Sequence, residues 1–510
     1  MEINTKQYIA VTIGPIFDTM SLVSTPAALW ASSYMFSNIT ATICNLLIDS
    51  GIKEEEIITP YFSQTDTELL GRRDGVGLFH DHIIFVAEGY DIAAFKAIRE
   101  KALALVSDIY GVDFDYMKQY VQIAAVKYRA ENPILGCEYM LNSRELEKPF
   151  VAKDPDQPLL KKLFAGEGSA NEWIKKIARR LGVLEKWQLL SGKNIKDLNM
   201  IVNPQPDKTP TKKKHRYYAI VRSDGDNMSK IISSLCGDGQ FRSFSETCLN
   251  YCAQIADEVS RFDGVTIYAG GDDLLAILPC ENRYGETPFE FIKRANKIFK
   301  NNFDQYNKPT SLSFGITMCY YKFPLYEALE DSASLLFGVA KDASRKNCTV
   351  IRLQKHSGQS EGLVIPNAAL DELLSLKNVI VKPDILAKRD EEIAVGAHDA
   401  EPATAVSDAQ IEESERAIVS ALHKLAFFEH LLKAADDDRD AVITLFKNMF
   451  DSGEQKTTFL HETLPDFYHK LKTLGIHAMT NKGVDPNLVT TIAYVLRMLK
   501  FFNEKAGDRE

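Results

Sequence analysis

Residues 265–279 read VTIYAGGDDLLAILP, two apolar runs separated by two glycines and two aspartates. Apolar, partly β-branched residues on either side of a glycine-rich break predict two strands joined by a tight turn. A turn that only reverses the chain does as well with Asn-Gly in a type I′ geometry, whereas Asp272 and Asp273 repel each other. Such a pair becomes useful when a divalent cation cancels the repulsion, and Mg²⁺ is typically held by one or two carboxylates plus substrate phosphates.

A metal site needs another ligand, and the preceding strand supplies one. RYYAIVRSDGDNMSK, residues 216–230, predicts a strand over 216–223 with Asp224 and Asp226 where the chain leaves the sheet. In a β-α-β-β unit the first strand lies beside the hairpin, so Asp224, Asp226, Asp272 and Asp273 should form an acidic cluster on one sheet edge. Gly225, Gly270 and Gly271 remove side-chain bulk there, letting phosphate and base approach the backbone. A helix expected to begin near Asn227 offers free N–H groups to a triphosphate, and Asp226 reads as a further metal ligand, with capping of that helix as its structural alternative. DGDNMSK is not an EF-hand loop, and no Walker A sequence occurs.

Outward from this hairpin the order is strand, helix, strand, strand, helix, strand. It occurs twice, first from YIAVTI to YVQIAAVKY and again from RYYAIVRS through SLSFGITMCYY, where a further helix and CTVIRL complete the copy. TPFE at 287–290 is a capping box with proline at the first helical position. The expected class is α+β, with two ferredoxin-like units at 1–145 and 215–360, a helical insert with a basic linker at 146–214, and a C-terminal helical bundle at 361–510. Residues 395–410, rich in alanine, proline and acidic groups, read as a mobile loop.

A chain of 510 residues exceeds a single core. No apolar run of about 18 residues exists to span a bilayer, and the start has no export-signal pattern, so no membrane association and a cytoplasmic location are expected. The net charge of −10 excludes a protein that coats nucleic acid over its whole surface. Eight scattered cysteines without a C-x-x-C pair argue against disulfides and a zinc ribbon; Cys248 and Cys252, one helical turn apart, read as core.

YAGGDDLLAIL following RSDGDNMSKI resembles the palm of the large polymerase-cyclase subunit of type III CRISPR effector complexes, the Cas10 family, and within it the Cmr2 branch of type III-B. LLFGVAKDASRKNCTVI is similar to the helix and strand that close the palm in that family and in GGDEF diguanylate cyclases. The opening VTIGPIFDTMSLVSTPAALWASSYMFSNI resembles the start of the Cmr2 branch. The resemblance implies a nucleotidyltransferase, switched on by target RNA, that makes an adenylate second messenger from ATP. The product is cyclic oligoadenylate or an AMP conjugate with S-adenosylmethionine as co-substrate. Asp224, Asp272 and Asp273 would hold Mg²⁺ or Mn²⁺, and Lys341, Arg345 and Lys346 would neutralise the triphosphate. The implied partners are other subunits of the complex, with guide RNA and target RNA reached through it. The histidine-aspartate nuclease domain and the inter-palm zinc cysteines of many members are not expected here; His80, Asp81 and His82 read as a structural turn in the first unit's hairpin. Two other classes compete: a catalytically silent scaffold subunit and a stand-alone GGDEF-like cyclase.

Overall fold

The computed structural model describes residues 5–21, 25–64, 76–147, 213–342, 344–380, 408–435, 438–451 and 457–503. The expected insert and the 395–410 loop lie almost entirely outside these residues.

In the first unit, β1 (Lys6–Gly14), β2 (Ile57–Thr59), β3 (His82–Val86) and β4 (Gln122–Ala130) form an antiparallel sheet in the order β2-β3-β1-β4. Its central strand β1 is buried from Tyr8 to Gly14, because sheet neighbours flank it and helices cover it. Helix Pro26–Asp49 starts at Thr25, whose hydroxyl accepts from the Ala28 N–H, and has proline at its first turn. Helix Ile92–Tyr110 runs between Asp91, which caps it, and Gly111, whose φ of 60° ends it.

The second unit repeats this order. β5 (Tyr217–Asp226), β6 (Val265–Gly270), β7 (Asp273–Pro279) and β8 (Ser311–Tyr320) stand as β6-β7-β5-β8. Helix Asp238–Arg261 buries Phe241, Phe244, Cys248, Tyr251, Cys252, Ile255 and Val259, residues at steps of three and four. Helix Pro288–Phe303 opens with the expected capping box between Thr287 and Glu290. The chain then crosses through helix Leu325–Leu335 to β9 (Cys348–Gln354), which lies parallel to β8.

The sheet does not stop there. β10 (Ser360–Pro366) pairs antiparallel with β9, and β11 (His477–Thr480) and β12 (Gly483–Asp485) continue it to eight strands. A boundary at 360/361 with an all-helical remainder is therefore incorrect. EGLVIP is a short apolar run that fits either state by periodicity, and β11 and β12 are too short to show alternation. Helix Leu488–Asn503 packs against these strands, with Phe501 edge-on to Tyr217 of β5 at 4.8 Å between ring centroids. The C-terminal region thus buttresses the second unit.

The two units are joined beside the GGDD turn. β2 and β3 are not a tight hairpin: residue 77 of their connection bridges Tyr268 on β6, and the Ala269 N–H donates to Gly77 O at 3.2 Å. Arg242 donates to the carbonyls of Glu54, Ile57 and Phe62 at 2.5, 2.6 and 3.0 Å and stacks 4.5 Å over the Tyr61 ring. Lys6 and the Tyr8 hydroxyl both reach Asp238 at 2.7 Å. Among the described residues no helix is long and apolar enough to cross a membrane.

Candidate nucleotidyl-transfer site

β6 and β7 pair as far as Gly270 opposite Asp273, so Gly271 and Asp272 alone make the turn. Gly271 has φ +67° whereas Asp272 does not have a positive φ. Glycine with positive φ at the first central position alone is the II′ pattern, not the type I′ pattern of a plain Asn-Gly reversal. A Cβ on Gly225 would lie 2.6 Å from Asp272 Oδ2, so the bare backbone of β5 is what lets the Asp272 carboxylate settle against it.

Asp224 is not past the end of its strand. β5 leaves β7 after Ser223 opposite Leu274 but stays paired with β8 down to Asp226 opposite Ser311. Asp224 therefore stands on a rigid strand at the open edge, next to the turn that carries Asp272 and Asp273. Burial and then the Asp224 charge push the Asp272 carboxyl up to about 7, against the backbone N–H groups of Asp272 and Gly225 and the Lys341 charge, which favour its ionised form. Asp273 is raised well above the carboxylate range by burial, by the charges of Asp272 and Asp224, and by a hydrogen bond shared with Asp224. The Asp224 charge thus opposes ionisation of both turn carboxyls, and positive charge nearby favours their ionised forms.

Lys341 supplies part of that charge. Its ammonium pairs with Asp224 Oδ2, lies 3.2 Å from Asp226 Oδ1 and donates to the Gly225 carbonyl at 2.5 Å. Burial pulls its amine down, but Asp224 and Asp226 outweigh this and hold it above its ordinary value. Lys341 is thus placed among the acids and not free to meet a phosphate, as the sequence led one to expect. Lys346 Nζ donates to Asn227 Oδ1 at 3.1 Å beside the cluster, while Arg345 is exposed, its closest acceptor being Val339 O at 3.5 Å.

Asp226 has a different task from capping a helix. It is 1% exposed, and its Oδ2 accepts from the Ser311 and Ser313 hydroxyls at 2.7 and 2.8 Å and from the Asn347 N–H at 2.8 Å. It braces β5 to β8 and to the turn before β9, leaving only Oδ1 toward the cluster. The helix after it, Met228–Ile232, has five residues and starts at Asn227, whose φ is 61° and whose side chain does not cap it. So short a helix has little macrodipole to offer a triphosphate.

The donors at this edge are all oxygens, the carboxylates of Asp224, Asp272 and Asp273 and the Gly225 carbonyl, which suits Mg²⁺ or Mn²⁺. Among the described residues no group of three or more His, Cys, Asp or Glu stands ready as a metal cage, and at this edge the Lys341 ammonium pairs with Asp224. Next to it, a cavity of about 350 Å³ opens between the two units, walled by Asp273, Arg222 and Phe337 on one side and by Asp18, Asp81 and Gln122 on the other. Arg222 was not singled out from the sequence, since an arginine within a strand run carries no motif. Burial lowers its guanidinium to about 10 against the opposing charge of Asp273.

His80 is half-buried, and desolvation lowers it to about 4, so it is neutral. Its Nδ1 accepts from the His82 N–H at 3.2 Å, which leaves Nε2 protonated toward Thr59 Oγ1 at 2.9 Å. This geometry makes His80 a structural tie within the first unit.

Residues 217–350 match the family model described as "Cas10/Cmr2, second palm domain". The chain is 33% identical over 168 residues to the CRISPR system Cmr subunit Cmr2 of Pyrococcus furiosus, an alignment of 28% of this chain and 19% of that protein. Residues 217–350 thus form a second palm domain of the Cas10/Cmr2 kind. The chain's matched region spans about a fifth of the length of that curated relative. The palm fold extends beyond the matched residues. The chain resembles a subunit of the type III-B Cmr-beta complex in its apo state with TM-score 0.58 at 12% identity, covering 98% of this chain and 82% of that one. It resembles a Csm1-Csm4 cassette in complex with cA4 with TM-score 0.54 at 13% identity, covering 98% of this chain and 70% of that one. At such identities the likeness shows the fold alone, and the acidic edge described above lies within the residues that match the second palm domain.

Proposed function

We propose that this chain is the large subunit of a type III-B CRISPR RNA-guided complex and that its second palm is a metal-dependent nucleotidyltransferase making an adenylate second messenger from ATP when target RNA is bound. The observation that carries the reading is the convergence of Asp224, Asp272 and Asp273 with the Gly225 carbonyl on one sheet edge, beside a cavity of a size suited to a small ligand. Mg²⁺ or Mn²⁺ bound there would neutralise phosphate charge and lower the pKa of an attacking hydroxyl. The chain's own groups do the rest. Asp224 on its paired strand fixes the spacing of the carboxylates, Gly225 and Gly271 keep the backbone bare for phosphate oxygens, and Lys346 and Asn227 flank the entry. No protein nucleophile is required. A scaffold subunit has no reason to hold three mutually repelling carboxyls at an open edge, and the pairing of two palms within one chain disfavours a stand-alone GGDEF-like cyclase.

The acceptor side of the cavity bears on the product. Asp18 and Asp81 face it from the first palm, and carboxylates repel a second triphosphate but suit a cationic group. This favours an AMP conjugate with S-adenosylmethionine over cyclic oligoadenylate. The partners follow from the same reading: the other subunits of the complex, and guide and target RNA through them. The test is mass spectrometry of products from the assembled complex with target RNA and ATP, with and without S-adenosylmethionine. Product is expected from the wild type and none from Asp272→Asn with Asp273→Asn, the two complexes binding target RNA alike. Equal ATP consumption by both would refute the assignment.

A further inference from the structure

The Lys341 ammonium has three oxygen partners: Asp224 Oδ2, Asp226 Oδ1 and the Gly225 carbonyl. Two of these, Asp224 and the carbonyl, are donors that a hard cation at this edge would use. A lysine reaching out for phosphate would instead extend toward the opening, yet only 16% of this side chain is exposed. The backbone that carries it is equally unusual. Helix Leu325–Leu335 does not end as an α-helix but widens into a π turn over Leu336–Ala340, in which the Lys341 N–H donates to Leu336 O, five residues back, at 2.8 Å. A π turn holds one residue more than an α turn, and each residue advances a helix by about 100°. Closing it to α geometry would swing Lys341 by roughly that angle around the axis and out of the acidic cluster. The same turn carries Phe337, 53% exposed on the cavity wall, so a ligand in the cavity touches the hinge directly.

We propose that Lys341 is a resident counter-ion that holds the acidic edge together in the metal-free protein, and that a divalent ion enters by displacing it, with the π turn as the hinge. This rests on the reading of the edge as a divalent-ion site. A displaced Lys341 stands beside the entry with its charge free, where a polyphosphate arriving with the metal gains it as a partner. Metal and nucleotide therefore bind cooperatively. The cause is a population shift of one lysine between two positions, each ligand favouring the same one.

The experiment is a Mn²⁺ titration of the full chain followed by electron paramagnetic resonance, with Asp224→Ala as the baseline for sites elsewhere. Lys341→Met is expected to bind Mn²⁺ about tenfold or more tightly than the wild type without nucleotide. A non-hydrolysable ATP analogue should tighten Mn²⁺ binding more in the wild type than in Lys341→Met. Equal or weaker Mn²⁺ binding by Lys341→Met overturns the counter-ion role while leaving the metal site standing. Absence of Mn²⁺ binding above the baseline in both proteins, with the analogue present, overturns the metal reading and the proposal with it. A second measurement needs no variant. Reductive methylation of the wild type, mapped by peptide mass spectrometry, should modify Lys341 severalfold faster with Mg²⁺ present than with EDTA, and an unchanged rate overturns the displacement.

Discussion

Asp272→Asn should stabilise the metal-free protein while destroying its chemistry. The Asp272 carboxyl titrates at about 7 in the folded chain against an ordinary value of 3.8, raised first by burial and then by Asp224. A raised carboxyl means that the folded state binds the proton more tightly than the unfolded one. Native stability accordingly falls as pH rises from about 4 to about 7, and the loss is complete above that. About 3 units at 1.36 kcal/mol each sets a ceiling of about 4 kcal/mol, and screening by solvent at this half-buried turn reduces it to about 2 kcal/mol. Asparagine keeps an acceptor oxygen toward the Gly225 N–H and removes the charge, so the variant should lack this pH dependence. For a unit of this size the gain is about 4–8 °C in melting temperature. The assay is thermal unfolding in EDTA at pH 5 and pH 8: the variant should melt several degrees above the wild type at pH 8, and the gap should shrink at pH 5. A variant that melts below the wild type at pH 8, or a gap independent of pH, would refute the electrostatic account of the turn.

Asp226→Ala, in the same cluster, should go the other way: it strands the Ser311 and Ser313 hydroxyls, the Asn347 N–H and part of the Lys341 charge, at a cost of about 3–5 kcal/mol read from denaturant unfolding. Gly225→Ala drives a Cβ to 2.6 Å from Asp272 Oδ2, so product formation by the assembled complex should drop by about 100-fold or more with little change in melting temperature. Arg242→Ala removes three charged hydrogen bonds and a stacked ring, at about 1.5–3 kcal/mol for each bond before compensation by water, and hydrogen exchange should rise around residues 54–62.

The double βαββαβ order was legible because its helices carry apolar residues at steps of three and four and its capping signals are explicit, as at Thr287 and Glu290. The acidic turn was legible because adjacent aspartates have few structural uses. What sequence could not show was how the chain spends individual charges. Lys341 lies more than a hundred residues from the two aspartates it pairs with, and which carboxylate braces the sheet and which faces the opening depends on strand register. The same holds for Arg242, whose three acceptors are backbone carbonyls and leave no trace in side-chain pattern. β10 is not legible because its apolar run EGLVIP fits helix and strand alike, and β11 and β12 because they are too short to show alternation.

The contact between Gly77 and Tyr268, together with Arg242 over Tyr61, fixes the second half of the inter-palm cavity within the same polypeptide. A cyclase assembled from two separate copies loses its cavity on dilution, since its halves must find each other by diffusion. Here each half meets the other at a local concentration set by the connecting chain and the clamp, independent of how much protein is present. The cavity walls of a single molecule in a dilute solution are therefore as complete as those in a concentrated one.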